Sequence, residues 1–478
     1  MPEPDSGLVV GSLLATFWVL GLASAVDAIL KARTSQGAVA WALSLLALPV
    51  VAVPLYWIFG RNKYHGYVKA RRRGESAIQR LAASLEPLVP GFRAELGDDE
   101  DRFHALEELV RMPFTAGNRS RLLIDGEEIF TALFEAIASA RRYVLVQSYI
   151  VREDRVGRRL LELMAERARA GVHVFFLYDE IGSRDLSRGA VAKLEEAGVE
   201  VSAFRTTKGR WNRFQINFRN HRKAVVVDGR EAFVGGSNFG VEYLGEDPAI
   251  GPWRDTQVGV RGPAVQCVQL SFLEDWFWAT GRTPAWDWEP TPVEDGDEQV
   301  LVLPTGPADR FETASCMFVE TLRAARHRAW IATPYLVPDH AVLAALQLAA
   351  LRGVDVRVLI PAKADHMLTW LASFSTIDPL LQAGAKLYSY EAGFLHQKAL
   401  VVDDDIALVG TANLDNRSFR LNFELCLLWR DRGFAERVAR MLAADLERCR
   451  PILPGELAGR GPLFRFSVAF ARLWAPIL

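Results

Sequence analysis

HRKAVVVD occupies residues 221–228 and HQKALVVD occupies residues 396–403. The two octets share the pattern His-x-Lys-x-x-x-x-Asp and start 175 residues apart. In a strand, side chains two apart share a face, so His221 goes with Lys223 and His396 with Lys398. The runs AVVV and ALVV suit strands buried on both faces. Asp228-Gly229 is a hairpin signal, and EAFVGGSN follows it. A two-residue loop at Gly229-Arg230 pairs Asp228 with Glu231 and sets His221 opposite Asn238. A loop at Asp404-Asp405 sets His396 opposite Asn413 in the same way. Each copy then offers a His, a Lys and an Asn on one patch. Gly235, Gly236 and Gly410 leave room there for a ligand to approach the backbone. Lysine and an amide N–H suit phosphate oxygens, and histidine suits a nucleophile or a proton donor. Asp228 and Asp403 complete the octets and stand with the candidate catalytic residues, although each closes a strand and can simply cap its turn.

The surroundings of the octets repeat too. VLVQSYI (144–150) reads as a strand, LLELMAERARA as a helix and VHVFFLYDE (172–180) as the next strand. The second half gives AWIATPYLVP (329–338), a helix near LAALQLAALRG and VDVRVLIPA (354–362). Strands alternating with helices predict βαβ units. An internal duplication accounts for the order. The segment 281–300, rich in Pro, Asp and Glu, reads as the linker between halves.

The N-terminus has another character. Leu8 to Val26 and Gly37 to Gly60 contain no charged residue. About 20 residues of helix span a bilayer core, so these runs predict a membrane hairpin, with Pro49 and Pro54 able to kink its second arm. A shallow re-entrant hairpin is the alternative. Lys31 and Arg33 stand in the connecting loop, against Arg61, Lys63, Lys69, Arg71, Arg72 and Arg73 after it. That bias places the rest of the chain in the cytoplasm. The four cysteines form no metal or disulfide pattern. The net charge of −2 is unlike that of a general nucleic-acid binder.

Two HxKxxxxD motifs, each followed by G-[GS]-x-N, resemble the phospholipase D superfamily. GGSN and GTAN stand in those places here, with Thr411 where Ser is frequent. LYDEIGS (177–183), NFRNHRKAVVVDG (217–229), WRDTQV (253–258), LPTGP (303–307), TPYLVPD (333–339) and NLDNRSFRLNFE (413–424) extend the resemblance to the bacterial cardiolipin synthases. It covers nearly the whole chain. It implies an α/β fold of two repeated phospholipase D-like halves with mixed, largely parallel sheets, behind a two-helix membrane hairpin. The expected domains are a hairpin at 1–60, a basic linker at 61–111, a first half at 112–290 and a second at 291–478.

The resemblance further implies phosphatidyl transfer through a covalent phosphohistidine, with no metal or other cofactor. His221 is the expected nucleophile and His396 the acid and base, although the near-equivalent patches allow the reverse order. Lys223, Lys398, Asn238 and Asn413 are the expected phosphate ligands. One imidazole must start neutral and the other protonated. Each also needs its second nitrogen fixed. Asp255, 34 residues after His221, and Glu424, 28 after His396, occupy equivalent places and are the expected orienting carboxylates.

The leading expectation is the joining of two phosphatidylglycerols into cardiolipin and glycerol at a bacterial inner membrane. A hydrolytic phospholipase D, or a transferase using phosphatidylethanolamine or another alcohol, would use the same residues. A membrane-tethered nuclease fits the charge poorly, and a non-catalytic scaffold fits two intact octets poorly. FRTTKGRWNRF (204–214) and the tail Pro462–Leu478, which has no acidic residue, are candidate lipid contacts. The tail could equally dock on the catalytic body. Nothing in the sequence fixes an oligomeric state.

Overall fold

The structure, a computed structural model, describes residues 6–32, 34–60, 64, 66–68, 89–97, 100–207, 215–248, 250–363, 365–456 and 459–478. The basic residues Arg61, Lys63, Lys69 and Arg71–Arg73 lie outside them, as does the stretch Lys208–Phe214. The chain divides into two compact units. One holds residues 1–69 with 206–218, and the other holds 70–205 with 219–478.

In the first unit the helix Ser6–Lys31 is long and apolar enough to cross a membrane. The second apolar run is interrupted. It forms Ser35–Ala47 and Pro49–Leu55, broken at Leu48, and ends in a π turn at Tyr56–Gly60. Pro49 has no N–H to continue the first segment's ladder, so the break falls where the proline predicts it. Neither piece alone has the length of a span, so among the described residues one arm of the expected hairpin, not both, is long and apolar enough to cross a membrane. Ala25, Ala28, Leu45, Ala52, Val53 and Tyr56 form a small core. Tyr56 donates to Asp27 (2.9 Å) and Trp57 to Ser24 (3.2 Å). A side chain at Gly21 would meet the Leu45 carbonyl at 2.6 Å, so glycine lets the two arms touch. Val10, Trp18, Val19, Leu22 and Ile29 face outward.

In the second unit the two halves are copies of one layout. Ordered from the middle of one long sheet, the first half runs Thr115–Ile124, Thr256–Arg261, Glu231–Gly235, Ala224–Val227, Tyr143–Ser148, His173–Asp179, Glu200–Phe204. The second runs Glu298–Thr305, Asn422–Arg430, Ile406–Gly410, Ala399–Val402, Arg328–Ala332, Asp355–Pro361, Lys386–Tyr390, with Cys449–Ile452 at its edge. The halves join antiparallel, Thr115 opposite Val300. The repeated α/β architecture read from the sequence is the one observed. Along this strand order the parallel neighbours are those joined through helices Arg155–Arg169, Arg188–Glu196, His340–Leu351 and Met367–Gln382. The other neighbours are antiparallel, so less of the sheet is parallel than alternating βαβ units suggest. The octets are the reason: each is one arm of a hairpin, and hairpins pair antiparallel.

Both octet strands are buried along their full length. Their hairpin loops are one residue longer than the two-residue loops expected, which shifts the register by one. Val227 pairs with Glu231 and Val402 with Ile406, leaving three-residue loops Asp228–Arg230 and Asp403–Asp405. Asn238 and Asn413 are therefore not directly opposite the histidines. The aspartates cause the shift by entering the turns. Asp228 (φ 54°) and Asp403 (φ 49°) are left-handed, a conformation aspartate tolerates better than most residues. The Asp228 carboxylate accepts the backbone N–H groups of Arg141, Arg142 and Tyr143. Asp403 accepts those of Arg326, His327 and Arg328. Both stand at the end of their strands away from the histidines, which corrects their place among the candidate catalytic residues. Asp403→Ala would leave three backbone donors without that acceptor and should destabilise the fold by about 1–3 kcal/mol. Asp403→Asn should keep more than half of the lost stability, because its amide oxygen still accepts. Denaturant melts of both variants check this.

Candidate active site

The residues just before each octet leave their own half. Arg219–Asn220 pairs in parallel with Asn422–Phe423 of the second half. Phe394–Leu395 pairs in parallel with Trp253–Arg254 of the first. The next residue continues each exchange: His221 N–H donates to the Phe423 carbonyl (2.9 Å), and His396 N–H to that of Arg254 (2.8 Å). One position further along each partner strand stands a carboxylate. Glu424 Oε2 is 2.8 Å from His221 Nδ1, and Asp255 Oδ2 is 2.7 Å from His396 Nδ1. The expected orienting carboxylates are therefore in contact with the expected histidines, but crossed between halves. Counting along the sequence pairs each with its own half; the strand exchange reverses that.

The glycines after the octets serve this crossing. A side chain at Gly236 would meet Asp255 Oδ1 at 2.1 Å, and one at Gly235 would meet the Thr256–Gln257 backbone. A side chain at Gly410 would meet Cys426. The clearance admits neighbouring strands and the Asp255 carboxylate, not the ligand expected from sequence. Where Gly236 makes room in the first copy, Thr411 in the second donates its hydroxyl to Glu424 (2.6 Å). Asn422 also donates to Glu424 (3.1 Å), and the Thr256 N–H to Asp255 (2.9 Å).

The residue between His and Lys faces away and anchors each octet. Arg222 pairs with buried Asp275 (2.9 Å), and Gln397 donates to buried Asp445 (2.7 Å). Arg254 grips the same Asp445 with two nitrogens. Lys223 donates to the His221 carbonyl (2.8 Å) and lies over the Tyr149 ring. Lys398 donates to the His396 carbonyl, and its Nζ is 2.9 Å and 3.0 Å from the two ring nitrogens.

His221, His396, Asn238 and Asn413 line one cavity of 850 Å³. Asn238 donates to the Tyr243 hydroxyl and accepts from Ile150 N–H (3.1 Å). Asn413 donates to Asp415 (3.2 Å), and its amide oxygen is buried with no hydrogen bond among the described residues. Other lining groups were not singled out by the motifs. Arg219 and Arg417 line it beside Tyr149, whose ring packs edge-on to His221, while Tyr243 and Trp253 stand around His396, and Tyr335 donates to Asp365. The quoted stretches NFRNH, TPYLVPD and NLDNRSF already contained Arg219, Tyr335, Asp415 and Arg417.

Burial pushes both imidazoles down to about 4, against the upward pull of the facing carboxylates. The lysines push in the same downward direction as burial. Burial also lowers Lys398, to about 8, and Lys223 well below its ordinary value. Burial opposes ionisation of Glu424 and Asp255, but His221 and Lys223 in one case, and His396 and Lys398 in the other, outweigh it and hold both below the usual range. Both imidazoles are thus neutral at pH 7 in this arrangement, where the sequence reading asked one to start protonated. With a carboxylate on each Nδ1, the proton belongs there and the Nε2 lone pair is left for chemistry.

The lowered histidines have a sign for stability. Between their ordinary value of 6.5 and about 4, the unfolded chain binds protons that the folded chain refuses. Stability should therefore fall as pH falls through that window. His221→Gln and His396→Gln should each flatten the slope of unfolding free energy against pH there, read from denaturant melts at fixed ionic strength. An unchanged slope in both would contradict the burial argument.

A family described as "Cardiolipin synthase, PLD-like domain" matches residues 133–247 and 318–446, one match in each half. A second, "Phospholipase_D-nuclease N-terminal", matches residues 17–61. The chain is 48% identical over 472 residues to Cardiolipin synthase A of Pseudomonas aeruginosa (strain LESB58), covering 98% of this chain and 96% of that one. It is 45% identical over 471 residues to Cardiolipin synthase A of Pseudomonas putida (strain ATCC 47054), covering 98% of each. A solved phosphatidylserine synthase of Haemophilus influenzae shares the fold, with a TM-score of 0.60 at 15% identity, covering 79% of this chain and 100% of that one. With both octets intact, a family match in each half and such relatives along nearly its full length, the chain belongs to the cardiolipin synthase family of the phospholipase D superfamily.

Proposed function

We propose that this enzyme joins two phosphatidylglycerol molecules into cardiolipin and releases glycerol. The observation that carries the reading is the crossed pair of histidine–carboxylate contacts facing one cavity beside two buried lysines. Relatives named for cardiolipin synthesis across 98% of the chain support it.

The chemistry uses each part. Nε2 of one histidine, His221 on the family resemblance, attacks the phosphorus of the first lipid. The bond from phosphorus to the glycerol headgroup oxygen breaks. That oxygen takes a proton from the imidazolium of the other histidine, His396. His396, now neutral, accepts a proton from a headgroup hydroxyl of the second lipid. The resulting oxygen attacks phosphorus, the phosphorus–nitrogen bond breaks, and His221 returns to its first state. Lys223 and Lys398, with the remaining amide N–H of Asn238 and Asn413, offset charge on the non-bridging oxygens. A phosphodiester anion between the two rings replaces solvation that burial removed and raises both imidazoles. One ring can then hold the proton that neither holds without it. Asp255 and Glu424 hold the rings in place and stabilise their charged forms.

The long apolar first helix and the family suggest membrane association. We read the catalytic body as lying on the cytoplasmic face of a bacterial inner membrane, on the excess of basic residues after residue 60. The broken second run supports a return into the interface better than a second full crossing.

Purified full-length enzyme given headgroup-labelled phosphatidylglycerol should release labelled glycerol and form cardiolipin. His221→Ala and His396→Ala should each lose about a thousandfold or more, because groups that act as a unit fail together. Phosphatidic acid as the main product would sink the transferase reading in favour of hydrolysis. The single-turnover rate should pass through a maximum with pH, since one ring must be neutral and the other charged. A flat profile between about pH 5 and 9 would remove the acid–base division of labour.

A further inference from the structure

The last helix of the chain, Pro462–Arg472, has two apolar faces, and the protein covers one of them. Val468 and Ala471 are buried, Ala471 against Val337 and Ala372. Phe464 sets its ring edge-on to Trp370 and Phe374 (6.0 and 5.3 Å). A separate stripe at three- and four-residue spacing points outward: Leu463, Phe466, Phe470 and Leu473, with Trp474 beside them. Leu463 and Leu473 are 78% and 75% exposed, far more than one packing face would leave. From Gly459 to Leu478 the only charged side chains are Arg460, Arg465 and Arg472, all exposed.

This stripe leads to the catalytic cavity. After the helix the chain turns once more at Ala475–Ile477. Ile477 and Leu478 are among the residues lining the cavity. Arg417 holds them: its N–H donates to the Leu478 carbonyl (2.7 Å), and its Nη1 to that of Ile477 (2.9 Å). Exposed Met367 lies on the neighbouring helix, between the lining residues His366 and Thr369. The two histidines, Asn238, Asn413, Arg219 and Arg417 among the cavity's lining residues suit a phosphate headgroup.

We propose that this outward stripe is a docking surface for an anionic lipid bilayer, which it holds against the mouth of the catalytic cavity. The proposal rests on the lipid-transfer reading above and adds where the lipid waits. The phenylalanines, leucines and Trp474 enter the acyl boundary, and Arg465 and Arg472 meet phosphate headgroups. The covered face and the Arg417 contacts keep the helix in register with the cavity. The covered face meets the expectation that the tail docks on the body; the proposal assigns the membrane interface to the other face.

The test compares two forms of substrate with the full-length enzyme. One is long-chain phosphatidylglycerol in vesicles; the other is dihexanoyl phosphatidylglycerol as dissolved monomers. Phe466→Glu/Phe470→Glu should keep monomer turnover within about twofold and lose about tenfold or more on vesicles. Phe466→Leu/Phe470→Leu should keep both. Arg465→Glu/Arg472→Glu should lose most on vesicles of pure phosphatidylglycerol and less where neutral lipid dilutes the charge. Equal turnover of the glutamate variant on both substrates overturns the proposal. An equal loss on both overturns it too, and marks the stripe as structural. A loss accompanied by a change in oligomeric state, or by release of the N-terminal helices to protease, assigns the stripe to a second copy or to those helices, and again overturns it. If wild type makes no cardiolipin from either substrate, the parent reading fails instead.

Discussion

Two short exchanges of backbone hold the active site together. Each half sends the two residues before its octet to pair with a strand of the other half. The pairings are only two residues long, but they sit where the chain enters the octets. Everything chemical is counted from them: the histidine N–H that continues the pairing, the carboxylate one position further on, and the lysine two residues later. The antiparallel joint of Thr115–Ile124 with Glu298–Thr305 continues the sheet from one half to the other, and the exchanges fix the halves at the site.

The price of this arrangement is a concentration of buried charge. His221, Lys223, Glu424, His396, Lys398 and Asp255 are all buried. Unpaired, any of these charges would cost several kcal/mol, and removing one partner of such a pair typically costs about 3–5 kcal/mol. The site tolerates them because each carboxylate meets an imidazole, lies near a lysine and accepts additional N–H or O–H groups. Outside the histidine layer, Arg222–Asp275 and Arg254–Asp445–Gln397 repeat the same logic on the far face of each octet. Neutral histidines and lowered lysines follow from burial, and a substrate anion is the group that would rebalance them.

Much of this was legible in the sequence, for identifiable reasons. The octets announced the duplication, and their apolar runs announced buried strands. Strands at 143–148 and 173–179, with the helix between, fall where periodicity predicts them. Counting loop residues misses the hairpin register by one, because it does not show that three backbone N–H groups at the start of another strand draw Asp228 and Asp403 into the turn. Spacing picks out the carboxylates but pairs each with its own half, because it carries no sign of exchange between repeats. The second apolar run breaks just before Pro49, where the missing N–H predicts it. Arg219, Arg417 and Tyr335 could have been read from the stretches around them, but nothing in a single sequence says that they share a cavity.

The crossed carboxylates also say something about descent. A lone copy of this fold would hold a histidine without its acid and an acid without its histidine. Two identical copies related by a two-fold axis would repair both deficits at once, each lending what the other lacks. Fusion into one chain turns that encounter into an internal one, at a fixed and high local concentration. Within one chain the copies need not match across an axis. The aspartate on one side and the glutamate on the other, the glycine here and the threonine there, are differences that two identical copies could not hold.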